Sequence, residues 1–135
     1  MKIIPYGVYN WGVKIFTGRT FFDMKIINLE SGMPDVSTAL SRLQNGLYAA
    51  RATGDRQAKI IHGYGSTGRG GAIRSAVRSE LRSYRRRGVI KAFCPGEEFG
   101  PFSQGGRDMV FKDPSFKNDR DWARSNDGIT IVSFR

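Results

Sequence analysis

Ala58-Lys59-Ile60-Ile61-His62-Gly63-Tyr64-Gly65-Ser66-Thr67-Gly68-Arg69-Gly70-Gly71 decides the fold. A short apolar run ends in the chain's one histidine, and five of the next nine residues are glycine. An arginine-striped helical pattern follows. The order is therefore buried strand, glycine loop, helix. Glycines let a backbone approach a ligand closely and take up positive φ. Successive N–H groups at a helix start favour an anion, usually phosphate. His62 at the mouth of such a loop is placed to move a proton near neutral pH.

Downstream, Ile73, Ala76, Val77, Leu81 and Tyr84 keep helical spacing over residues 71–86. Arg74, Arg78, Arg82 and Arg86 recur every fourth residue and make one stripe, closed by the cluster Arg85-Arg86-Arg87. Gly88 stops the helix, and Val89-Ile90-Lys91-Ala92-Phe93 predicts a strand. Residues 95–127 read as a long Gly/Pro/Asp-rich connection with one helical turn near Asp119–Arg124. Ile129-Thr130-Ile131-Val132-Ser133-Phe134 is a last strand. Upstream, Ile26-Ile27-Asn28-Leu29 predicts a strand closed by Ser31-Gly32-Met33-Pro34. A helix then carries Val36, Leu40, Leu43, Leu47 and Ala50, capped by Asp35 or Ser37 and ended at Gly54. The order β-α-β-α-β-β predicts an α/β, or α+β sandwich, domain: a four-stranded mixed, largely parallel sheet with two flanking helices.

The 135 residues suit one compact domain, here 24–135. Residues 1–23 read as an N-terminal extension of uncertain status, because Met24-Lys25-Ile26-Ile27 repeats the opening Met1-Lys2-Ile3-Ile4. The net charge of +10 points to a polyanionic partner, nucleic acid ahead of membrane. The charge is uneven: Ile60 to Phe93 holds eight bases and one acid, Glu80, while Glu97 to Asp127 holds seven acids and five bases. With so few acids interleaved, the stripe favours phosphate contact over a solvated face. One cysteine, Cys94, excludes an internal disulfide and suits a reducing compartment. No apolar stretch is long enough to span a membrane, and the expected location is cytoplasmic.

Two nucleotide motifs are near matches only. Gly63-Tyr64-Gly65-Ser66-Thr67-Gly68 fits G-x-G-x-x-G, but the next strand ends in Phe93-Cys94-Pro95 with no ribose-binding acid. Against a P-loop, Arg69 stands for the lysine and Gly70 for the Ser/Thr. A lone histidine with no Cys cluster argues against zinc.

Taken from Met24 to Phe134, the chain resembles the Smr, or small MutS-related, domain family. His62-Gly63-Tyr64-Gly65 matches the family's His-Gly-x-Gly motif, and the turn into Ala72-Ile73-Arg74 and the closing Gly128-Ile129-Thr130-Ile131-Val132 are also similar. The resemblance implies a fold like the C-terminal domain of bacterial translation initiation factor three. It implies binding of DNA or RNA, and endonuclease activity of the nicking or RNA-cleaving kind found in several members. One departure matters: where nuclease members tend to carry Leu-Asp-x-His, this chain has Ile27-Asn28-Leu29-Glu30. The expected catalytic pair is then His62 and Glu30, with no cofactor required and Mg²⁺ left open. The expected nucleic-acid contacts are Gly63, Tyr64, Gly65, Ser66, Thr67, Gly68, Arg69, Gly70, Gly71, Arg74, Arg78 and Arg82. Tyr64 either stacks on an unpaired base or packs over the loop glycines. Asn28 and Glu30 equally favour a non-catalytic adaptor that docks on a nucleoprotein such as the ribosome. A small nucleotide-binding protein is the third reading.

Overall fold

The computed structural model describes residues 24–64 and 68–135, with 68–70 described in the backbone. The elements are β1 (Met24–Asn28), α1 (Val36–Ala52), β2 (Gln57–Ile61), α2 (Gly68–Arg86), β3 (Ala92–Pro95), α3 (Gln104–Lys112) and β4 (Ile129–Ser133). Short 3-10 turns at Gly96–Glu98 and Pro114–Asn118 flank α3. The expected extension over residues 1–23 lies outside the described residues.

The strands form one sheet in the order β1-β2-β4-β3. β1 pairs parallel with β2 in the register Ile27↔Ile60, while β4 runs antiparallel to both neighbours, with Ile60↔Thr130 and Cys94↔Ile131 opposite. The sheet is therefore mixed, with β4 as the antiparallel strand. The two crossover helices cover one face. Leu43 and Leu47 of α1 and Ile73, Val77 and Leu81 of α2 close on Ile27, Ala58, Ile60 and Val132. Gly46 makes this possible, since a Cβ there would come within 2.9 Å of the Ile27 side chain. Asp35 caps α1 by accepting from Thr38 N at 2.8 Å, which satisfies one of the helix's unpaired donors.

The opposite face corrects the reading of residues 95–127 as a long connection. It is covered by Phe99, Met109 of α3, Phe116 and the half-buried Trp122, packed on Cys94, Ile129 and Ile131. α3 was hidden by Gly105-Gly106, which are poor helix formers. Gly106 is required there, because a Cβ would lie 2.1 Å from the Gly100 carbonyl. The turn expected at Asp119–Arg124 is present as i→i+3 bonds, Trp122 N to Asp119 O and Arg124 N to Asp121 O. Two boundaries also shift. α2 begins at Gly68 rather than Gly71. Val89 and Ile90 are buried yet precede β3, because they complete the helix cap instead. Gly88 takes φ +78°, its N–H meets Arg85 O, and the Val89 N–H reaches back to Tyr84 O at 2.9 Å.

The lower layer is tied to the sheet by charge. Lys59 is buried in the middle of β2, and its ammonium lies 2.7 Å from Asp119 Oδ1 and 2.6 Å from Asp121 Oδ2. Burial alone would raise the Asp121 carboxyl, but the Lys59 ammonium and the Asn126 amide hold it below its ordinary value. Burial pushes the Cys94 thiol up to about 12, so it sits in the core as a neutral group.

Candidate functional site

β1 and β2 run parallel, so their carboxyl ends, with Asn28 and Ile61 opposite each other, open on the same edge of the sheet. Glu30, His62, Gly63, Tyr64 and the start of α2 gather there. Open α/β sheets bind ligands at that edge. Glu30 is exposed. A Cβ on Gly63 would sit 2.7 Å from Glu30 Oε2, so the carboxylate lies against the Gly63 backbone. Gly63 takes φ +86°, which favours glycine and turns the chain out of β2. The sequence-predicted pair is thus brought close in chain terms, but His62 does not face Glu30.

His62 points inward and is 2% exposed. Its Nδ1 lies 2.9 Å from Gly63 O, and its Nε2 lies 2.9 Å from Thr130 Oγ1. A carbonyl only accepts, so Nδ1 carries the proton. Nε2 then accepts from the Thr130 hydroxyl, which itself accepts from Arg78 Nε at 3.3 Å. The chain Arg78 to Thr130 to His62 to Gly63 holds the imidazole neutral in one tautomer. Burial is the main reason its pKa falls below 6.5; the Arg78 and Arg74 charges act the same way, and the Gly63 bond opposes them. The main chain is held as well: the N–H groups of His62 and Gly63 both donate to Gly128 O at 3.0 Å. The Gly63 N–H, an expected phosphate donor, is therefore already used.

Asn28 has a local task. Its Oδ1 accepts from Glu30 N at 2.8 Å, closing the turn after β1. Tyr64 packs on a glycine outside its own loop. Its ring lies against Gly128, where a Cβ would be 3.3 Å from Cε1, and the residue remains 62% exposed. Gly65, Ser66 and Thr67 lie outside the described residues, as does the Arg69 side chain, and Gly68 and Gly70 are described in the backbone alone. The backbone of 68–71 is the first turn of α2, and no acid occupies that turn.

The arginine stripe divides. Arg78 makes a two-pronged contact with Glu97 at 2.8 and 2.9 Å. Burial would raise the Glu97 carboxyl, but Arg78 holds it below its ordinary value. Arg74 donates to Tyr64 O at 3.0 Å and to Asp127 Oδ2 at 3.2 Å. The counter-charges that looked absent near the stripe are supplied by distant parts of the chain. Arg82, Arg85, Arg86 and Arg87 stay exposed at the far end of α2. Arg85 lies over the Phe93 ring and Arg87 over Tyr84. Among the described residues no three His, Cys, Asp or Glu side chains converge as a metal-ligand set.

These features define a class: a small α+β domain with a His-Gly turn between a central strand and a basic helix. The Smr domain model matches residues 31–101, from the turn before α1 to just past β3, and the chain belongs to that family. It is similar to the Smr domain of Thermus thermophilus MutS2, at 25% identity over 83% of this chain and 96% of that one, with a TM-score of 0.47. No curated protein sequence matches it. Among the described residues no helix is long and apolar enough to cross a membrane.

Proposed function

We propose that this chain is a nucleic-acid-binding domain that holds phosphates at the loop between β2 and α2 and along the exposed part of α2. The supporting observation is the junction itself. Gly63 turns the chain sharply, α2 starts with glycine-rich backbone and no acid in its first turn, and Arg82 and Arg85–Arg87 carry the positive charge onward. Family membership supports the same reading, because Smr domains are nucleic-acid binders. His62 serves here by shaping the turn. Its ring nitrogens are both engaged and it is neutral, so it positions Gly63 and Thr130 rather than carrying a proton to solvent.

Cleavage is the second reading, and one observation favours it: the exposed Glu30 carboxylate beside Gly63 is the available general base at this edge. The deciding experiment has two arms. Affinity for labelled RNA and DNA should fall steeply as salt rises, and an Arg82→Ala/Arg86→Ala variant should show a shallower slope. Affinity that ignores salt rules the binding reading out. In parallel, wild type and Glu30→Gln are incubated with structured RNA and supercoiled plasmid, with and without Mg²⁺. Intact substrate leaves binding as the activity, whereas cleavage lost in Glu30→Gln establishes a nuclease. Co-sedimentation with ribosomes set against binding to naked RNA tests the adaptor role.

A further inference from the structure

The face that carries α3 presents an aromatic surface unrelated to the His62 turn. Phe102 is 95% exposed and Phe111 is 91% exposed, although both are large apolar side chains. Phe111 joins Pro101, Arg107, Val110, Lys117 and Trp122 in lining a cleft of about 280 Å³, and Phe102 follows Pro101 in the chain. That volume is slightly below the roughly 300–1,000 Å³ usual for small-molecule pockets, and suits one flat group.

The charges around the cleft are sorted by direction. Three acids of this segment are turned toward the sheet, whereas Glu97 and Glu98 stay exposed away from the cleft lining. Asp119 and Asp121 bind the buried Lys59, while Asp113 takes Gln57 Nε2 and lies 3.4 Å from Arg56. Asp108 remains at the surface and accepts from Gln104. The bases are left outside. Arg107 donates to the neutral Pro101 O and Gln104 Oε1, and Lys112, Lys117 and Arg124 are exposed and enter none of the ion pairs formed among the described residues. The cleft itself is thus lined by Arg107 and Lys117 and by no acid, with Lys112 next to Phe111 in the chain.

An exposed ring with Arg107 and Lys117 beside it fits the faces and phosphates of unpaired nucleotides, since every base has a π-face and duplex DNA or RNA keeps those faces stacked away. An acidic amphipathic peptide would satisfy the cations, but it would need a continuous groove, and this cleft is short. We propose that the Phe102–Phe111–Trp122 surface is a stacking platform for single-stranded nucleic acid, with Lys112 and Lys117 meeting its phosphates. The inference rests on the nucleic-acid reading above and adds strand form and location to it.

The test compares wild type, Phe102→Ala, Phe111→Ala and Phe111→Tyr by fluorescence anisotropy. The probes are a short labelled RNA, the matching DNA, and each annealed to its complement, at two salt concentrations. Each Ala variant should bind the single strands about fivefold or more weakly. The salt slope should stay unchanged, because a ring releases no counterions. Phe111→Tyr keeps the ring and should keep the affinity, and duplex binding should not move. Both phenylalanines are exposed, so thermal unfolding should be unaltered and serves as the folding control. Single-strand binding unchanged in both Ala variants overturns this inference alone. Equal losses for single strand and duplex also overturn it. Failure of the wild type to bind any probe overturns it together with the function on which it rests. Loss of self-association in the Ala variants with unchanged binding overturns it in favour of an interface between copies.

Discussion

Replacing Lys59 with methionine should separate the two layers of the domain. The side chain is 7% exposed, and its partners Asp119 and Asp121 are 11% and 14% exposed. Methionine fills similar space without the charge. Two carboxylates would then be left nearly buried without their ammonium partner, with only the more distant Arg120 charge acting on Asp121. Removing one partner of a buried pair costs about 3–5 kcal/mol. The slight exposure of both acids puts this case near the lower end, about 3 kcal/mol. For a domain of this size each kcal/mol lowers Tm by roughly 4 °C, so the expected drop is on the order of 12 °C. The assay is thermal unfolding by circular dichroism at neutral pH. The triple variant Lys59→Met/Asp119→Asn/Asp121→Asn should recover most of the loss. It removes all three charges, and asparagine keeps the side-chain oxygens that accept from Asp121 N and Asn126 Nδ2. The sign of the pH dependence is fixed too. The Asp121 pKa is lowered in the fold, so its contribution is complete above its unfolded value near 3.8 and is lost as pH falls through the folded value. Lys59→Met should flatten that acid limb. A single variant within about 2 °C of wild type, or a triple variant no better than the single, refutes the reasoning.

The remaining predictions concern the His62 turn and its surroundings. The single histidine gives one imidazole titration by NMR, and its midpoint should lie below 6.5. Because the folded pKa is depressed, this group's stabilisation is present above pH 6.5 and declines as pH falls through the folded midpoint; a midpoint above 6.5 contradicts the burial account. Thr130→Val should cost about 1–3 kcal/mol in denaturant unfolding, because it leaves buried Nε2 without its donor; no change would mean the bond contributes nothing. Gly63→Ala should cost about 1–2 kcal/mol through its φ of +86°. Glu30→Ala in the same background should restore little of that, since an exposed carboxylate can move aside; full recovery would make the Glu30 contact the cause. Arg78→Ala should cost about 1 kcal/mol, because Glu97 is 39% exposed, and should let the Glu97 carboxyl titrate higher by NMR.

Much of the architecture was legible because it is written in local pattern. Leu43 and Leu47 on α1, and Ile73, Val77 and Leu81 on α2, keep helical spacing and are all buried. The turn at His62-Gly63 was visible from composition. What escaped was set by contacts between distant residues. Val89 and Ile90 are strand formers by type, but the cap at Gly88 takes them first. α3 carries two glycines because Gly106 must pass against Gly100. The counter-ions of Arg74 and Arg78 come from Asp127 and Glu97, far along the chain, so the stripe looked more open than it is. The direction of the His62 ring depends on Thr130, which a motif does not encode.

The position of β4 bears on how the molecule is made. It lies between β2 and β3, so Gln57, at the start of β2, faces Ser133, and Ala92 faces the same residue from the other side. Synthesis proceeds from the amino end, and this central strand therefore emerges after every strand it joins. Until then the nascent chain has β1, β2 and both crossover helices but a gap in the middle of its sheet, with the lower layer lacking Ile129 and Ile131 to rest on. Pairings this remote in sequence close slowly. Ribosome-bound intermediates should hence protect α1 and β2 from proteolysis well before α3, which must wait for the last strand to be threaded into place.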